Sequence, residues 1–219
     1  MKKQKLLICL FCAGLAAAFW LIPDYYPYHP RSRTISCPED GLLFSITAFD
    51  GDGESAPFVK CLGHAWIALD NRTDHVVTLK EYPIQPGETL TFSIWALSGH
   101  SGVTYDLEPA FIREYGRYDG RQSLRIPLDE SQLPVIEDYI DRHDGWSPGL
   151  NCSRWSLELW NAVTDERDHL PIQTVLYTPK RLARALAEFD CTEENQDFSR
   201  AKEIFFLRDG VKTELRLCS

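Results

Sequence analysis

The segment NCSRWSLELWNAV, residues 151–163, has the pattern of a helix with one buried face. Its apolar side chains recur at i, i+3, i+7, i+8 and i+11, which places them along one side of a helix. Asn151 comes just before the first of them and is a residue type that caps helix N-termini. The apolar positions are Cys152, Trp155, Leu159, Trp160 and Val163. The segment therefore predicts a core-facing helix that begins at Cys152.

A cysteine at the start of a helix has a chemical reason to ionise. The positive end of the helix dipole favours the thiolate, and a nearby imidazole lowers the pKa of the thiol further. The approach from Gly149 to Cys152 also leaves backbone N–H groups that could hold an oxyanion. The alternative interpretation is a structural cysteine on an apolar helix face, which is a frequent position for cysteine.

His64 is the candidate partner for this thiol. It lies in GHAWIAL, residues 63–69, at the beginning of a hydrophobic segment with strand character. An imidazole on a rigid strand that faces a helix N-terminus is the general base that thiol acyl chemistry needs. The alternative is a histidine whose hydrogen bonds are satisfied in the core or at a sheet edge.

The order of these two motifs is similar to that of a known superfamily. GHAWIAL followed by NCSRWSLELWN resembles the circularly permuted branch of the NlpC/P60-like, papain-fold thiol hydrolases, which includes lecithin:retinol-acyltransferase-like proteins. In that branch the His strand precedes the Cys helix, the reverse of the usual order. The resemblance covers about residues 60–165 and extends loosely through SIWAL, HSGVTYDLE and DGW. It implies a papain-like fold with Cys152 as nucleophile and His64 as base.

Three functions are compatible with this resemblance. It implies first an exported cysteine hydrolase that acts on amide bonds of peptides, cell-wall peptides included. The same Cys-His dyad would also serve an acyltransferase or a lipid deacylase. The third is a non-catalytic domain of the same fold that binds a partner or a wall component. This last function predicts that Cys152 is disulfide-bonded or far from His64.

A third catalytic residue is less well defined. The resemblance implies a polar residue on the strand after the His strand, where it orients the imidazole. A hairpin over residues 60–80 that turns at Arg72-Thr73 would put Glu81 opposite His64. His100 follows the next predicted strand and is the other candidate, with Asp106 and Glu108 close behind it. Both Glu81 and His100 remain open.

Residues near the dyad are candidates for substrate contact. Asn151 belongs to the approach whose backbone could bind an oxyanion. Trp146 lies just before the Cys helix and Trp66 just after His64, so either could line a substrate groove. The alternative for such tryptophans is a place in the hydrophobic core.

Cysteine parity favours a free thiol. Outside the apolar N-terminal segment the chain has five cysteines, and an oxidising compartment favours pairing. Five is odd, so at least one remains unpaired. Pairing of Cys37 with Cys61 and of Cys191 with Cys218 would leave Cys152 free. Other pairings stay open, because sequence does not fix connectivity.

The N-terminus has the composition of an export signal. Lys2, Lys3 and Lys5 precede an unbroken apolar run from Leu6 to Ile22. Residues 1–23 are therefore either a signal peptide, cleaved near Ala16–Ala18, or an uncleaved anchor that binds the membrane. Both interpretations predict an exported domain, either secreted or anchored and facing the outside. Residues 24–36 are expected to be a linker and residues 37–219 a single domain.

The rest of the body alternates between strand and helix patterns, which predicts the α+β class with a mainly antiparallel sheet and helices packed on it. The Asp209-Gly210 pair predicts a two-residue hairpin turn near the C-terminus. The predicted strands are 42–49, 58–69, 75–80, 89–97 and 123–128, and the predicted helices are 110–115, 129–142, 151–163 and 179–189.

Charge and motif content exclude several functions. Without its first 23 residues the chain keeps 20 basic and 32 acidic residues, a net charge of about −12. This argues against a nucleic-acid partner, which needs a basic surface. Outside the apolar N-terminal segment no pair of cysteines has zinc-ligand spacing, and the chain has neither the GxSxG motif of serine hydrolases nor a glycine-rich phosphate loop. We therefore expect neither a metal nor a cofactor.

Overall fold

The computed structural model of the chain describes residues 39–51, 63–97, 100–170, 177–189, 192–198, 203–208 and 211–215. These residues belong to one compact unit. Within them, no helix combines the length and the apolar character that crossing a bilayer requires. The predicted export segment and linker lie outside the described residues, and so do the four cysteines predicted to pair, Cys37, Cys61, Cys191 and Cys218.

The described residues form a mixture of strands and helices. The strands are β1 (Gly41–Phe49), β2 (His64–Arg72), β3 (Val77–Leu79), β4 (Tyr82–Ile84), β5 (Thr89–Leu97), β6 (His100–Tyr105), β7 (Gln122–Pro127), β8 (Glu193–Glu194), β9 (Phe205–Arg208) and β10 (Val211–Glu214). The helices are α1 (Leu107–Tyr115), α2 (Leu133–Arg142), α3 (Cys152–Val163) and α4 (Pro179–Ala187), with short 3₁₀ turns at Glu130–Gln132 and Glu166–Asp168.

One large sheet organises the domain. Eight strands lie in the order β10-β9-β6-β5-β2-β1-β7-β8, and every neighbouring pair is antiparallel. Helices α3 and α4 pack against its central strands. The predicted α+β class, with an antiparallel sheet packed with helices, is confirmed. The predicted C-terminal hairpin is also present, since β9 and β10 pair from Arg208↔Val211 outward.

The predicted hairpin over residues 60–80 is wrong. Strand β2 pairs with β1 along its whole length and with β5 on its other side. Strand β3 instead pairs with β4 in a separate two-stranded sheet, through a tight turn at Lys80 and Glu81, both with positive φ. The physical reason is burial: eight of the nine β2 residues are buried, which requires a sheet neighbour on each side rather than one hairpin partner.

The two faces of the sheet are covered differently. On one face, Phe44 of β1 stacks on Trp160 of α3 with ring centroids 5.5 Å apart. On the same face, Phe92 of β5 meets the edge of Trp155 at 6.3 Å. We call this the helix-covered face. It is where the amphipathic α3 helix buries its apolar side, as its periodicity predicts.

The opposite face carries an aromatic cluster and the polar groups described below, and we call it the site face. The cluster is built from Phe49, Trp66, Ala68, Tyr118 and Phe198, with Phe111 and Ile112 of α1 packed against it. Side chains alternate between the two faces along each strand. His64 therefore lies on the site face with Trp66, while Ala65 and Ile67 lie on the helix-covered face.

Candidate active site

Cys152 is the first residue of α3, as the sequence predicts. Asn151 has an extended backbone, and its Oδ1 accepts a hydrogen bond from the Arg154 N–H at 3.1 Å. The helix therefore begins with a side-chain cap and its positive dipole end lies at Cys152. Cys152 is a free cysteine and is partly buried.

The Asn151 side chain is used to hold the helix in place. While Oδ1 caps the helix, Nδ2 donates a hydrogen bond to the Tyr177 carbonyl at 2.9 Å. Both ends of the amide are thus engaged within the protein. These two contacts fix the start of the helix.

His64 is the first residue of β2 and only 3% exposed. It follows Gly63, whose φ of +67° is in the left-handed region that favours glycine. A Cβ at Gly63 would lie 2.3 Å from the Phe49 carbonyl oxygen and 2.8 Å from the Pro179 Cβ. A glycine before the histidine therefore lets β2 enter the sheet in close contact with the start of α4.

The sheet opens beside His64. Hydrogen-bonded pairing between β2 and β5 runs from Ile67↔Phe92 to Asp70↔Thr89, so it ends before the His64 end of β2. There the Ser93 hydroxyl donates to the Ala65 carbonyl at 2.7 Å, in place of a backbone partner. The backbone of Ala65 is also close enough to Cys152 to help lower the pKa of its thiol. The gap between the two strands is thus where the cysteine from the helix-covered side reaches the histidine of the site face.

Cys152 and His64 are close enough to shift each other's pKa, and the two pKa values move in opposite directions. Burial by itself would lower the pKa of His64, but the charge and hydrogen bond of Cys152, followed by those of Glu108, raise it to about 9. Burial would raise the pKa of Cys152, but the positive charge and hydrogen bond of His64 and the Ala65 N–H lower it below its ordinary value. These shifts favour a thiolate–imidazolium pair at neutral pH.

Glu108 is the group that holds the far side of the imidazole. His64 Nε2 donates to Glu108 Oε1 at 2.9 Å, which leaves Nδ1 for Cys152. Glu108 is completely buried and accepts two more hydrogen bonds, from Thr91 Oγ1 to Oε2 at 2.9 Å and from Trp95 Nε1 to Oε1 at 3.0 Å. Both carboxylate oxygens of Glu108 are therefore engaged by donors from the protein.

The start of α1 places Glu108 at this position. Asp106, just before the helix, has a left-handed backbone with φ of 57°. Its Oδ1 accepts from the Thr91 N–H at 3.0 Å, and its own N–H donates to the Thr91 carbonyl at 2.9 Å. This double link fastens the helix start to β5, so that Glu108 in the first turn reaches across the site face to His64.

The structure does not bring either sequence-predicted third residue to His64. Glu81 lies in the exposed turn between β3 and β4, because residues 60–80 do not form the expected hairpin. His100 pairs with Leu97, the pair of the β5–β6 hairpin that is closest in sequence. Its Nε2 donates to the Val103 carbonyl at 3.3 Å, and its ring stacks on Phe206 at 4.0 Å. Glu108, eight residues further along the chain, takes the role that we expected of Glu81 or His100.

The two tryptophans proposed to contact substrate have different positions. Trp66 is completely buried in the aromatic cluster of the site face, so its predicted role as groove lining is wrong. Trp146 is 38% exposed in the loop that leads to Cys152. It remains a candidate for substrate contact.

The loop before Cys152 is anchored to the sheet by Asp144, whose Oδ1 accepts from the Val103 N–H at 2.6 Å. A Cβ on Gly102 would lie 2.2 Å from that oxygen. The glycine of β6 thus allows this close approach. Ser147 and Leu150 then pair in an isolated bridge directly before the Asn151 cap.

Glu108 had one sequence signal that pattern analysis did not use. It is an acidic residue in the first turn of a short apolar helix, DLEPAFI, directly after a strand that was not predicted, β6. Acidic residues at helix starts are common for reasons of capping and dipole alone, so this signal has little specificity. In the part of the chain that the structure describes, no group of three or more His, Cys, Asp or Glu side chains is arranged to bind a metal ion.

Compared with family models, with curated proteins and with solved structures, the chain matches none of them.

Proposed function

We propose that this protein is a thiol hydrolase that cleaves amide bonds, with Cys152 as nucleophile, His64 as general acid and base, and Glu108 as the group that orients His64. The observation that carries the proposal is the association of three groups: Cys152 and His64 shift each other's pKa, and the buried Glu108 carboxylate accepts a hydrogen bond from His64. Nucleophile, base and orienting group in contact is the general signature of covalent acyl transfer.

A papain-like architecture of the permuted NlpC/P60-like type accompanies this proposal. The strand with His64 precedes the helix with Cys152, and that helix packs against an antiparallel sheet. One feature departs from the pattern that the resemblance implies: the orienting residue comes from a helix, α1, and not from the strand after the His strand. The relationship is therefore proposed from chemistry and chain order.

The first half of the reaction forms a thioester. The Cys152 thiolate attacks the carbonyl carbon, forming the S–C bond while the carbonyl π electrons move to oxygen. Backbone N–H groups of the first helical turn, such as that of Cys152, are suited to stabilise this oxyanion. The His64 imidazolium then gives its proton to the leaving nitrogen, the C–N bond breaks and the amine departs.

The second half regenerates the thiolate. Neutral His64 takes a proton from water, whose oxygen attacks the thioester carbon. The S–C bond breaks, the carboxylic acid is released, and Cys152 returns to its pairing with imidazolium. Glu108 keeps its charge throughout and stabilises the imidazolium in each ion-paired state.

The substrates proposed are peptides, with cell-wall peptides first among them because of the resemblance and the predicted export signal. A non-catalytic domain would be expected to have a disulfide-bonded or distant Cys152, whereas Cys152 is a free cysteine close enough to His64 to raise the pKa of that histidine. That contrast supports catalysis over simple binding.

The test is amine release from purified cell-wall stem peptides by the wild type, Cys152→Ala and His64→Gln. His169→Gln is the matched control, since this exposed histidine follows the far end of α3 and contacts the Thr164 carbonyl. We expect release by the wild type and the control and its loss in the other two. Full release by folded Cys152→Ala would rule out the mechanism. Fatty-acid release from phospholipid vesicles without amine release would support a lipid deacylase in its place.

A further inference from the structure

Trp95 contacts both His64 and Glu108 in the candidate active site. It lies on β5 with a partly exposed indole, and its ring centroid is 4.0 Å from that of His64 at a tilt of 42°. Its Nε1 donates to Glu108 Oε1 at 3.0 Å. That is the same oxygen that accepts from His64 Nε2 at 2.9 Å. One side chain therefore covers the imidazole and shares its hydrogen-bond acceptor.

Trp95 and Thr91 together fix the orientation of the carboxylate. Thr91 binds Oε2 while Trp95 and His64 bind Oε1, so both oxygens are held and the group cannot turn about its last side-chain bond without losing a partner. The indole N–H also withdraws part of the negative charge of Oε1, because a hydrogen bond to an ionised acceptor stabilises that charge.

We propose that Trp95 is a positioning residue of the active site, which aligns Glu108 with His64 and moderates the hold of Glu108 on the imidazolium proton. This inference rests on the proposed function, since it assigns a role within the same site. The strength of the Glu108–His64 interaction matters because His64 must give its proton to the leaving nitrogen. Without the hydrogen bond from Trp95, Glu108 would stabilise the protonated His64 more strongly.

The neighbouring aromatic rings do not provide the same contact. Trp66 stacks on His64 at 5.7 Å and Tyr118 lies at 5.9 Å. Among the described residues, however, the Trp66 Nε1 and the Tyr118 hydroxyl have no hydrogen-bond partner. The titratable groups that face His64 are Cys152 from α3, Glu108 from α1 and Tyr118 from the loop after α1. Of the three tryptophan and tyrosine rings around His64, Trp95 is the one bonded to Glu108.

The test replaces the indole N–H and follows the titration of His64 by NMR in the full chain. In Trp95→Phe, we expect the pKa of His64 to rise by about 0.4 to 1 pH unit, the equivalent of one net hydrogen bond. Trp160→Phe is the matched control: it loses a buried indole bond of the same length, 3.0 Å to the Asp168 carbonyl, on the helix-covered face. The control should leave the His64 titration unchanged.

A second substitution guards against misfolding. Replacing Trp95 with benzothienylalanine keeps the bicyclic shape and removes only the N–H, so a rise in the pKa of His64 there supports the proposal without a change in packing. An unchanged or lowered pKa in either folded variant overturns the proposal. The same samples separate this result from the proposed function: selective alkylation of wild-type Cys152 tests the activated thiol whether or not Trp95 affects His64.

Discussion

The helix-covered face and the site face are built on the same strands but by different rules. Along β2, Ala65, Ile67 and Leu69 are apolar and bury themselves under helices. The alternate residues include His64 and Asp70, which are buried yet bonded to charged or polar partners. The first face stabilises the fold through packing, while the second uses buried hydrogen bonds to set the geometry and charge of a few groups.

This difference predicts separable effects. A substitution on the helix-covered face should change the free energy of unfolding with little effect on ionisation at the site. One on the site face should change ionisation even where it changes stability little.

Trp160→Ala should have the largest effect on stability. Trp160 is completely buried and stacked on Phe44, so its truncation leaves a cavity that costs about 3–5 kcal/mol. Denaturant unfolding measures this loss, and His64 titration by NMR in the folded variant should be unchanged. A shift of the His64 titration would show that the two faces are coupled and would contradict the predicted separation of their effects.

Glu108→Gln should have the largest effect on ionisation. Loss of the carboxylate charge lowers the pKa of His64 from about 9, because Glu108 is one of the groups that raise it. The imidazolium therefore loses its proton at lower pH, and the upper pH limit of thiolate–imidazolium pairing moves down. We expect a stability cost of about 1–3 kcal/mol from the weakened hydrogen bonds. A His64 titration equal to that of the wild type would contradict the role of Glu108.

The sequence predicted that Cys152 and His64 lie together, because the signals for both residues are local. A capping Asn before an apolar helix and a His at the start of a hydrophobic strand are signals contained within a few residues of Cys152 and His64. The third residue depends on which strands pair, and a local hairpin rule placed Glu81 where the structure has β1 and β5 as neighbours of β2. Glu108 arrives through the Asp106–Thr91 link, which joins segments 15 residues apart and leaves no local pattern.

Thr91→Val tests whether stability and His64 ionisation can be changed separately within the site face itself. It removes the hydroxyl that donates to Glu108 Oε2, at a cost of about 1 kcal/mol. Thr47→Val is the matched variant, since Thr47 is buried on the same face and bonded to the Ser123 hydroxyl at 2.8 Å. Both should lose similar stability in denaturant unfolding, but only Thr91→Val should shift the His64 titration. Equal shifts in both would mean that the site responds to general packing.

Asp106→Asn should change stability mainly through its pH dependence. Burial raises the pKa of Asp106 to about 8, well above its value in the unfolded chain. Its stabilising contribution is therefore complete below the unfolded pKa of about 3.9 and is lost as pH rises towards 8. The thermal stability of the variant relative to wild type should thus increase from pH 5 to pH 8. Asp165→Asn, at an exposed carboxylate, should show no such trend.

The central claim is that Cys152 is a thiolate paired with a protonated His64, and the pH dependence of Cys152 alkylation tests it most directly. Iodoacetamide labelling of the Cys152 peptide would be followed by mass spectrometry in the wild type and in His64→Gln. We predict a wild-type midpoint clearly below the ordinary thiol value of about 8.5, and a midpoint in His64→Gln that returns to that value or above it. A wild-type midpoint at or above about 8.5 that is unchanged in His64→Gln would contradict the account.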